Sequence, residues 1–134
     1  GLRIYLRGDL GAGKTTLARA LLRALGFQGP VKSPSYALVE LYTVSSLNLY
    51  HFDFFRFRDP KEWSDAGFRE YFGGNGVCLV EWPEKAGDVL PLPDIEILLS
   101  AAGAGRNALL TARTEAGEKC LEAASELKSQ DGFS

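Results

Sequence analysis

What the chain lacks narrows its identity first. Its 134 residues include two cysteines and one histidine. Cys78 and Cys120 form no Cys-x-x-Cys pair, and His51 stands alone, so a zinc site of the usual Cys/His kind is excluded. Each cysteine sits in an apolar pattern, which predicts buried free thiols in a reducing compartment. No apolar run approaches the roughly 20 residues that cross a bilayer. The opening GLRIYLRGDL carries charges where a signal peptide is apolar. A cytoplasmic location is the expectation. There is no basic excess: 15 Lys/Arg face 17 Asp/Glu, a formal net charge of −2, which argues against autonomous DNA or RNA binding. A composition of 46% hydrophobic and 24% charged residues excludes disordered and low-complexity classes.

What is present reads as one domain spanning 1–134, long enough to bury about two thirds of its unfolded surface without staples. Its charge is uneven. Residues 1–36 hold six Lys/Arg against one Asp, a balance of +5 that suits a polyanionic ligand such as a nucleoside triphosphate, or a solvated basic face. Residues 2–6 read as a short strand, 8–13 as a glycine-punctuated loop, and 14–25 as a helix with Leu17, Leu21, Leu22 and Leu25 on one face, stopped by Gly26. Residues 36–44 and 47–54 read as an antiparallel hairpin turning near Ser45-Ser46, and 60–71 as one or two short helices. Val77-Cys78-Leu79-Val80 is uniformly apolar, as in a strand buried on both faces. Pro83, Pro91 and Pro93 bracket a surface loop, 95–100 and 107–113 read as strands about a Gly103/Gly105 turn, and 118–130 as an amphipathic helix with Leu121 and Leu127 among its apolar positions. Strand, glycine loop and helix are the opening of an α/β nucleotide-binding fold.

The strongest motif is Gly8-Asp-Leu-Gly-Ala-Gly-Lys-Thr15, a G-x-x-x-x-G-K-[ST] phosphate-binding loop in the strand–loop–helix context it requires. From average composition a chance match in a chain of this length is about one in two hundred, which sets aside a plain glycine turn. Glycines let backbone N–H groups converge on phosphate oxygens, and the positive helix end adds to the attraction. Lys14 reaches the β- and γ-phosphates, Thr15 offers its hydroxyl to Mg²⁺, and Thr16 extends the hydroxyl pair. A dinucleotide fingerprint fits poorly, because Gly11-x-Gly13-x-x-Thr16 lacks its third small residue. The N-K-x-D and D-x-x-G patterns of switch GTPases are absent, which favours ATP. Such a site needs an acid at the end of a neighbouring buried strand. Glu81 supplies one, closing the most apolar run; Asp53, closing a strand that alternates and should be less buried, is the second. Tyr50, Phe52, Phe54, Phe55 and Phe57 read as core, the alternative being one face turned to a site or partner, and His51 reads as a structural hydrogen-bonding residue.

Four segments in order, GDLGAGKTT (8–16), VKSPSYALVE (31–40), LYHFDFFRF (49–57) and VCLVEWPEK (77–85), together resemble the TsaE family, P-loop ATPases of bacterial tRNA threonylcarbamoyladenosine biosynthesis. The resemblance implies an α/β P-loop NTPase fold with a mixed, mostly parallel central sheet flanked by helices, and ATP hydrolysis that is slow alone and tied to partners, the TsaD and TsaB proteins. These install threonylcarbamoyl on the adenosine beside the anticodon, so tRNA is met indirectly through the complex. It places nucleotide contacts on Gly11, Ala12, Gly13, Lys14, Thr15 and Thr16, the Mg²⁺ site on Thr15 and Glu81, and catalysis on Lys14, Asp53 and Glu81. The family's Trp-Pro-Glu falls on Trp82, Pro83 and Glu84, a switch-like Ser-Pro loop on Ser33-Pro34-Ser35-Tyr36, and a basic residue by the nucleotide on Arg106. The family's further N-terminal segment, which contributes near the adenine, is expected to be missing from this stretch, which starts at the first strand. Two rival readings stand beside this one. A small-molecule kinase would want a lid with paired arginines, for which Arg56 and Arg58 are the close pair. A non-catalytic nucleotide-binding adaptor would bind ATP without turnover.

Overall fold

Val77–Glu81 is apolar at every position but its last, and such a strand is stable only with neighbours on both edges and cover on both faces. The computed structural model, which describes residues 1–9, 13–24, 26–31, 39–44, 46–55 and 69–130, places it inside a six-stranded sheet. The elements along the chain are β1 (Leu2–Arg7), α1 (Lys14–Ala24), β2 (Val39–Val44), β3 (Leu47–Asp53), α2 (Arg69–Phe72), β4 (Val77–Glu81), a 3₁₀ segment (Pro83–Val89), β5 (Ile95–Ala102), β6 (Gly105–Ala112) and α3 (Glu115–Gln130). The sheet order is β2-β3-β4-β1-β5-β6. The inner pairs β3·β4, β4·β1 and β1·β5 are parallel, and the hairpins add β2 and β6 as antiparallel edges. The mixed, mostly parallel sheet expected from the sequence is what forms.

Strand alternation sorts the apolar residues into two cores. On one face, Leu6, Leu49, Leu79, Ile95, Ile97 and Leu99 pack against Ala18 and Leu22 of α1. Leu17 and Leu21 are only partly buried there. Complete burial of a side chain such as Leu22 contributes about 1.5–3 kcal/mol, so this stripe holds α1 to the sheet. On the other face, Tyr5, Phe52, Phe54, Phe72, Cys78 and Val80 form the second core with Ala86 of the 3₁₀ segment. Phe52 stacks on Phe72 at 5.0 Å between centroids. Of the aromatic run, Phe52 and Phe54 are core, Tyr50 is partly buried against them and Phe55 is exposed, while Phe57 lies outside the described residues. The helix α1 stops as expected: Gly26, at φ 101, and Phe27 return their N–H groups to the carbonyls of Arg23 and Leu22.

Several elements differ from the sequence reading. The stretch after Pro83 winds into the 3₁₀ segment instead of a plain loop. Cys78 is buried but Cys120, on α3, is half-buried. Both faces of β6 are exposed through Leu110, and Leu98 and Leu109, paired across β5·β6, are also exposed. The helix α3 starts at Glu115, three residues early, because Thr114 caps it: its hydroxyl accepts the Gly117 N–H at 3.1 Å and donates to Asp94 at 2.7 Å. The buried Asp94 ties this cap to β1, accepting the Arg3 N–H at 2.8 Å.

That anchor leaves no room at Gly117, where a Cβ would lie 2.0 Å from the Asp94 carbonyl oxygen. Alanine for glycine within a helix ordinarily stabilises by about 0.5–1 kcal/mol. Gly117→Ala is expected to do the reverse and destabilise by about 1–3 kcal/mol, read from the shift of the urea unfolding midpoint.

Candidate functional site

The chemistry gathers where the parallel strands end. β1 finishes at Arg7, and the chain turns back into α1 so that Lys14 and Thr15 open the helix. Gly13, at φ 103, closes the first helical turn by accepting the Leu17 N–H at 2.9 Å; this left-handed conformation disfavours any side chain. The first amides of a helix have no intrahelical partners, and no acid in the first turn of α1 offsets their positive field.

Lys14 is 5% exposed. Its ammonium donates to the carbonyl oxygens of Gly8 and Asp9 and lies 3.8 Å from the centre of the Trp82 ring. Burial pushes its pKa below the ordinary lysine value, opposed chiefly by the charge of Glu81. Glu81 is 2% exposed at the end of β4. Its carboxylate accepts the Thr15 hydroxyl at 3.2 and 3.4 Å and lies 2.7 Å from Nε2 of His51. Asp53 ends β3 in register with Glu81 and shares its face of the sheet. It is half-buried, and its Oδ1 accepts the Phe55 N–H at 3.0 Å. Burial raises its pKa, the Phe55 N–H opposes this, and the neighbouring Glu81 charge raises it further.

Trp82, directly after Glu81, adopts φ 57 and ψ 50, the one left-handed non-glycine residue among those described. Such a conformation costs about 1–3 kcal/mol and persists only where the surroundings enforce it. Here it lays the indole beneath Lys14 and against Phe55, with ring centroids 5.0 Å apart. Glu84, two residues on, pairs with Arg7 at 3.1 Å. Arg106, near the start of β6, brings its Nε within 3.7 Å of where a Gly13 Cβ would stand, so a cation from the far hairpin borders the loop.

Of the residues singled out from sequence, Gly13, Lys14, Thr15, Asp53, Glu81 and Arg106 are therefore brought to one end of the sheet. Thr16 is exposed on the first turn of α1. Gly11, Ala12, the Ser33-Pro34-Ser35-Tyr36 segment and the Arg56/Arg58 pair lie outside the described residues. A cleft of about 280 Å³ lined by Asn48, Tyr50, Tyr71 and Asn75 sits at the opposite end of β3 and β4 and contains none of the site residues. Sequence reasoning missed the Trp82 contact with Lys14, and it gave His51 no link to Glu81. The alternation His51-Phe52-Asp53 was the available signal, since it puts His51 on the face of Asp53.

Strand order, glycine loop and helix-opening lysine define an α/β fold of the P-loop NTPase class. Comparison with known proteins narrows this. The family model for "Threonylcarbamoyl adenosine biosynthesis protein TsaE" matches residues 1–108, and the chain belongs to that family. It is similar to the tRNA threonylcarbamoyladenosine biosynthesis protein TsaE of Haemophilus influenzae, 45% identical over 122 residues, covering 91% of this chain and 77% of the relative. It is also similar to the protein of that name from Bacillus subtilis, 42% identical over 100 residues, covering 75% of this chain and 62% of the relative. Among solved structures it resembles Bacillus subtilis YdiB with a TM-score of 0.80 and 34% identity, over 96% of this chain and 79% of that one.

The Asp53 environment makes a prediction about stability. An acid whose pKa is raised by folding favours the folded state when protonated. Its ionisation costs stability as pH rises through the carboxylate range, and the cost is fully present above the folded pKa. Asp53→Asn keeps an acceptor for the Phe55 N–H and removes the charge. It is expected to raise the melting temperature at neutral pH, and the gap should close as pH falls below the ordinary aspartate range. Thermal unfolding of both proteins across pH checks this.

Proposed function

We propose that the chain is an Mg²⁺-dependent ATPase that serves as a switch in threonylcarbamoylation of the adenosine beside the anticodon in tRNA, acting with TsaD and TsaB in the cytoplasm. The observation that carries the reading is the Thr15–Glu81 hydrogen bond at the mouth of the loop, with the Lys14 ammonium beside it. A hydroxyl and a carboxylate are the hard oxygen donors Mg²⁺ takes, and Mg²⁺ uses one or two carboxylates plus substrate phosphates in place of an all-protein cage. No group of three His, Cys, Asp or Glu side chains forms such a cage among the described residues. The donor set therefore fits Mg²⁺, which when bound would neutralise charge on the phosphates.

Each residue then has a distinct task. Lys14 exchanges the neutral carbonyls of Gly8 and Asp9 for phosphate oxygens, which are stronger acceptors for a cation. Thr15 and Glu81 would hold the metal. The raised pKa of Asp53 makes it a better proton acceptor than an ordinary aspartate, suited to orienting and deprotonating the attacking water. Arg106 adds positive charge next to Gly13. The names of the relatives supply the pathway, tRNA threonylcarbamoyladenosine biosynthesis.

The decisive assay measures phosphate release from ATP alone and with purified TsaD–TsaB. Turnover that rises with the partners supports the reading; phosphate transferred to a small metabolite, or no turnover under any condition, overturns it. Loss of one charged hydrogen-bonding group costs about 1.5–3 kcal/mol, so Lys14→Ala is expected to weaken ATP binding at least tenfold by calorimetry. Glu81→Ala is expected to weaken Mg²⁺-dependent binding, whereas Asp53→Ala lowers turnover more than affinity. The reverse order would exchange the roles of the two acids.

A further inference from the structure

His51 is completely buried in the α1-side core, where its register neighbour on β4 is Leu79. Its Nε2 lies 2.7 Å from Oε2 of Glu81, while its Nδ1 is buried without a hydrogen-bond partner among the described residues. Imidazole is a poor filler for such a place. One ring nitrogen is left unsatisfied, and a leucine like those around it would avoid that cost. The ring therefore has to be accounted for by its other nitrogen. A carboxylate accepts and does not donate, so the contact requires a proton on Nε2. The Thr15 hydroxyl lies at 3.2 Å from Oε1 and His51 at 2.7 Å from Oε2. The Glu81 carboxylate is thereby held by the Thr15 hydroxyl, nearer Oε1, and by His51 on Oε2, and the two partners set its plane.

We propose that His51 is a positioning residue: through Nε2–H it fixes the Glu81 carboxylate in the orientation that receives Mg²⁺ with ATP. The proposal rests on the reading of Glu81 as the metal-side acid. Hydrogen-bond partners behind metal-binding groups act in this way elsewhere, and their loss weakens metal affinity about 10–100-fold. The carboxylate left behind would lose its fixed orientation.

The test uses side-chain reach. The amide nitrogen of glutamine sits as many bonds from Cα as Nε2 of histidine, whereas that of asparagine sits only as far as Nδ1. His51→Leu removes the donor and keeps an apolar filler. Wild type, His51→Leu, His51→Asn and His51→Gln are each titrated with ATP by calorimetry, once in chelator and once in excess Mg²⁺. The measured quantity is the Mg²⁺ gain, the ratio of the two affinities. The expected result is a gain reduced about tenfold or more in His51→Leu and His51→Asn and largely kept in His51→Gln. In a Glu81→Gln background, His51→Leu should change the gain no further. A merely structural histidine would weaken binding equally with and without Mg²⁺, leaving the ratio untouched; that result, or identical behaviour of the Asn and Gln variants, overturns the proposal. A wild type that binds ATP with no Mg²⁺ gain overturns instead the metal reading on which it rests. Should His51→Leu fail to fold, the Asn/Gln comparison decides alone. Imidazole ¹⁵N shifts of the wild type give an independent check, since protonation at Nδ1 in place of Nε2 would also overturn it.

Discussion

A carboxylate almost wholly removed from water is the constraint around which this site is built. Glu81 is 2% exposed, and an ionised group so placed is tolerated only when paired and hydrogen-bonded. Its partners come from three directions in the chain: the Thr15 hydroxyl from α1, Nε2 of His51 from β3, and the nearby charge of Lys14. All three reach it only because β4 lies between β1 and β3. With β4 at an edge, either the loop–helix connection from β1 or the β3 side chain would be out of range. The strand order is thus part of the electrostatics of the site as well as of its packing.

The same end of the sheet stores strain, and the cores on either face support it. Immediately after Glu81 the backbone enters the left-handed region at Trp82, at about 1–3 kcal/mol, and then meets Pro83. This sharp exit from β4 carries the indole under Lys14 and lets Glu84 reach Arg7. Ala86 of the following 3₁₀ segment is fully buried beside Phe52, Phe54 and Val80, which fixes the chain beyond the kink. On the opposite face, Ala18 and Leu22 hold α1 in place, so the helix that presents Lys14 and Thr15 is anchored by its own apolar stripe. Rigid support on both sides permits an unfavourable conformation between them.

How much of this was legible depended on whether the signal was local. The glycine loop, the helix with its stop at Gly26, the uniformly apolar β4 and the two hairpins all carry short-range patterns and point to an α/β fold, whereas the mixed direction of the sheet came from the family resemblance. Glu81 and Asp53 were found because strand-end acids can be read from periodicity. Cap chemistry was misjudged: Thr114 extends α3 backward through a bond to Asp94, twenty residues away, which no local pattern announces. Arg106 came only from family resemblance, since its approach to Gly13 depends on the β5–β6 hairpin folding beside β1. The Lys14–Trp82 contact depends on a backbone conformation that sequence assigns to glycine, not tryptophan. His51 was legible as a structural hydrogen-bonding residue but not as a neighbour of Glu81, because that requires knowing that β3 and β4 pair in parallel.

That parallel pairing also explains how two adjacent acids come to differ. Asp53 and Glu81 stand side by side in register, so each bears the other's charge. Glu81 meets its burial with side-chain donors, the Thr15 hydroxyl near both oxygens and His51 on Oε2. Asp53 has a single backbone donor and is partly desolvated, so its affinity for a proton rises. Different surroundings for two adjacent carboxylates are how one site can divide tasks between them. The division follows from sheet position. β4, flanked by parallel strands, buries its acid where fixed donors surround it, whereas β3, one strand further out, leaves its acid half in water.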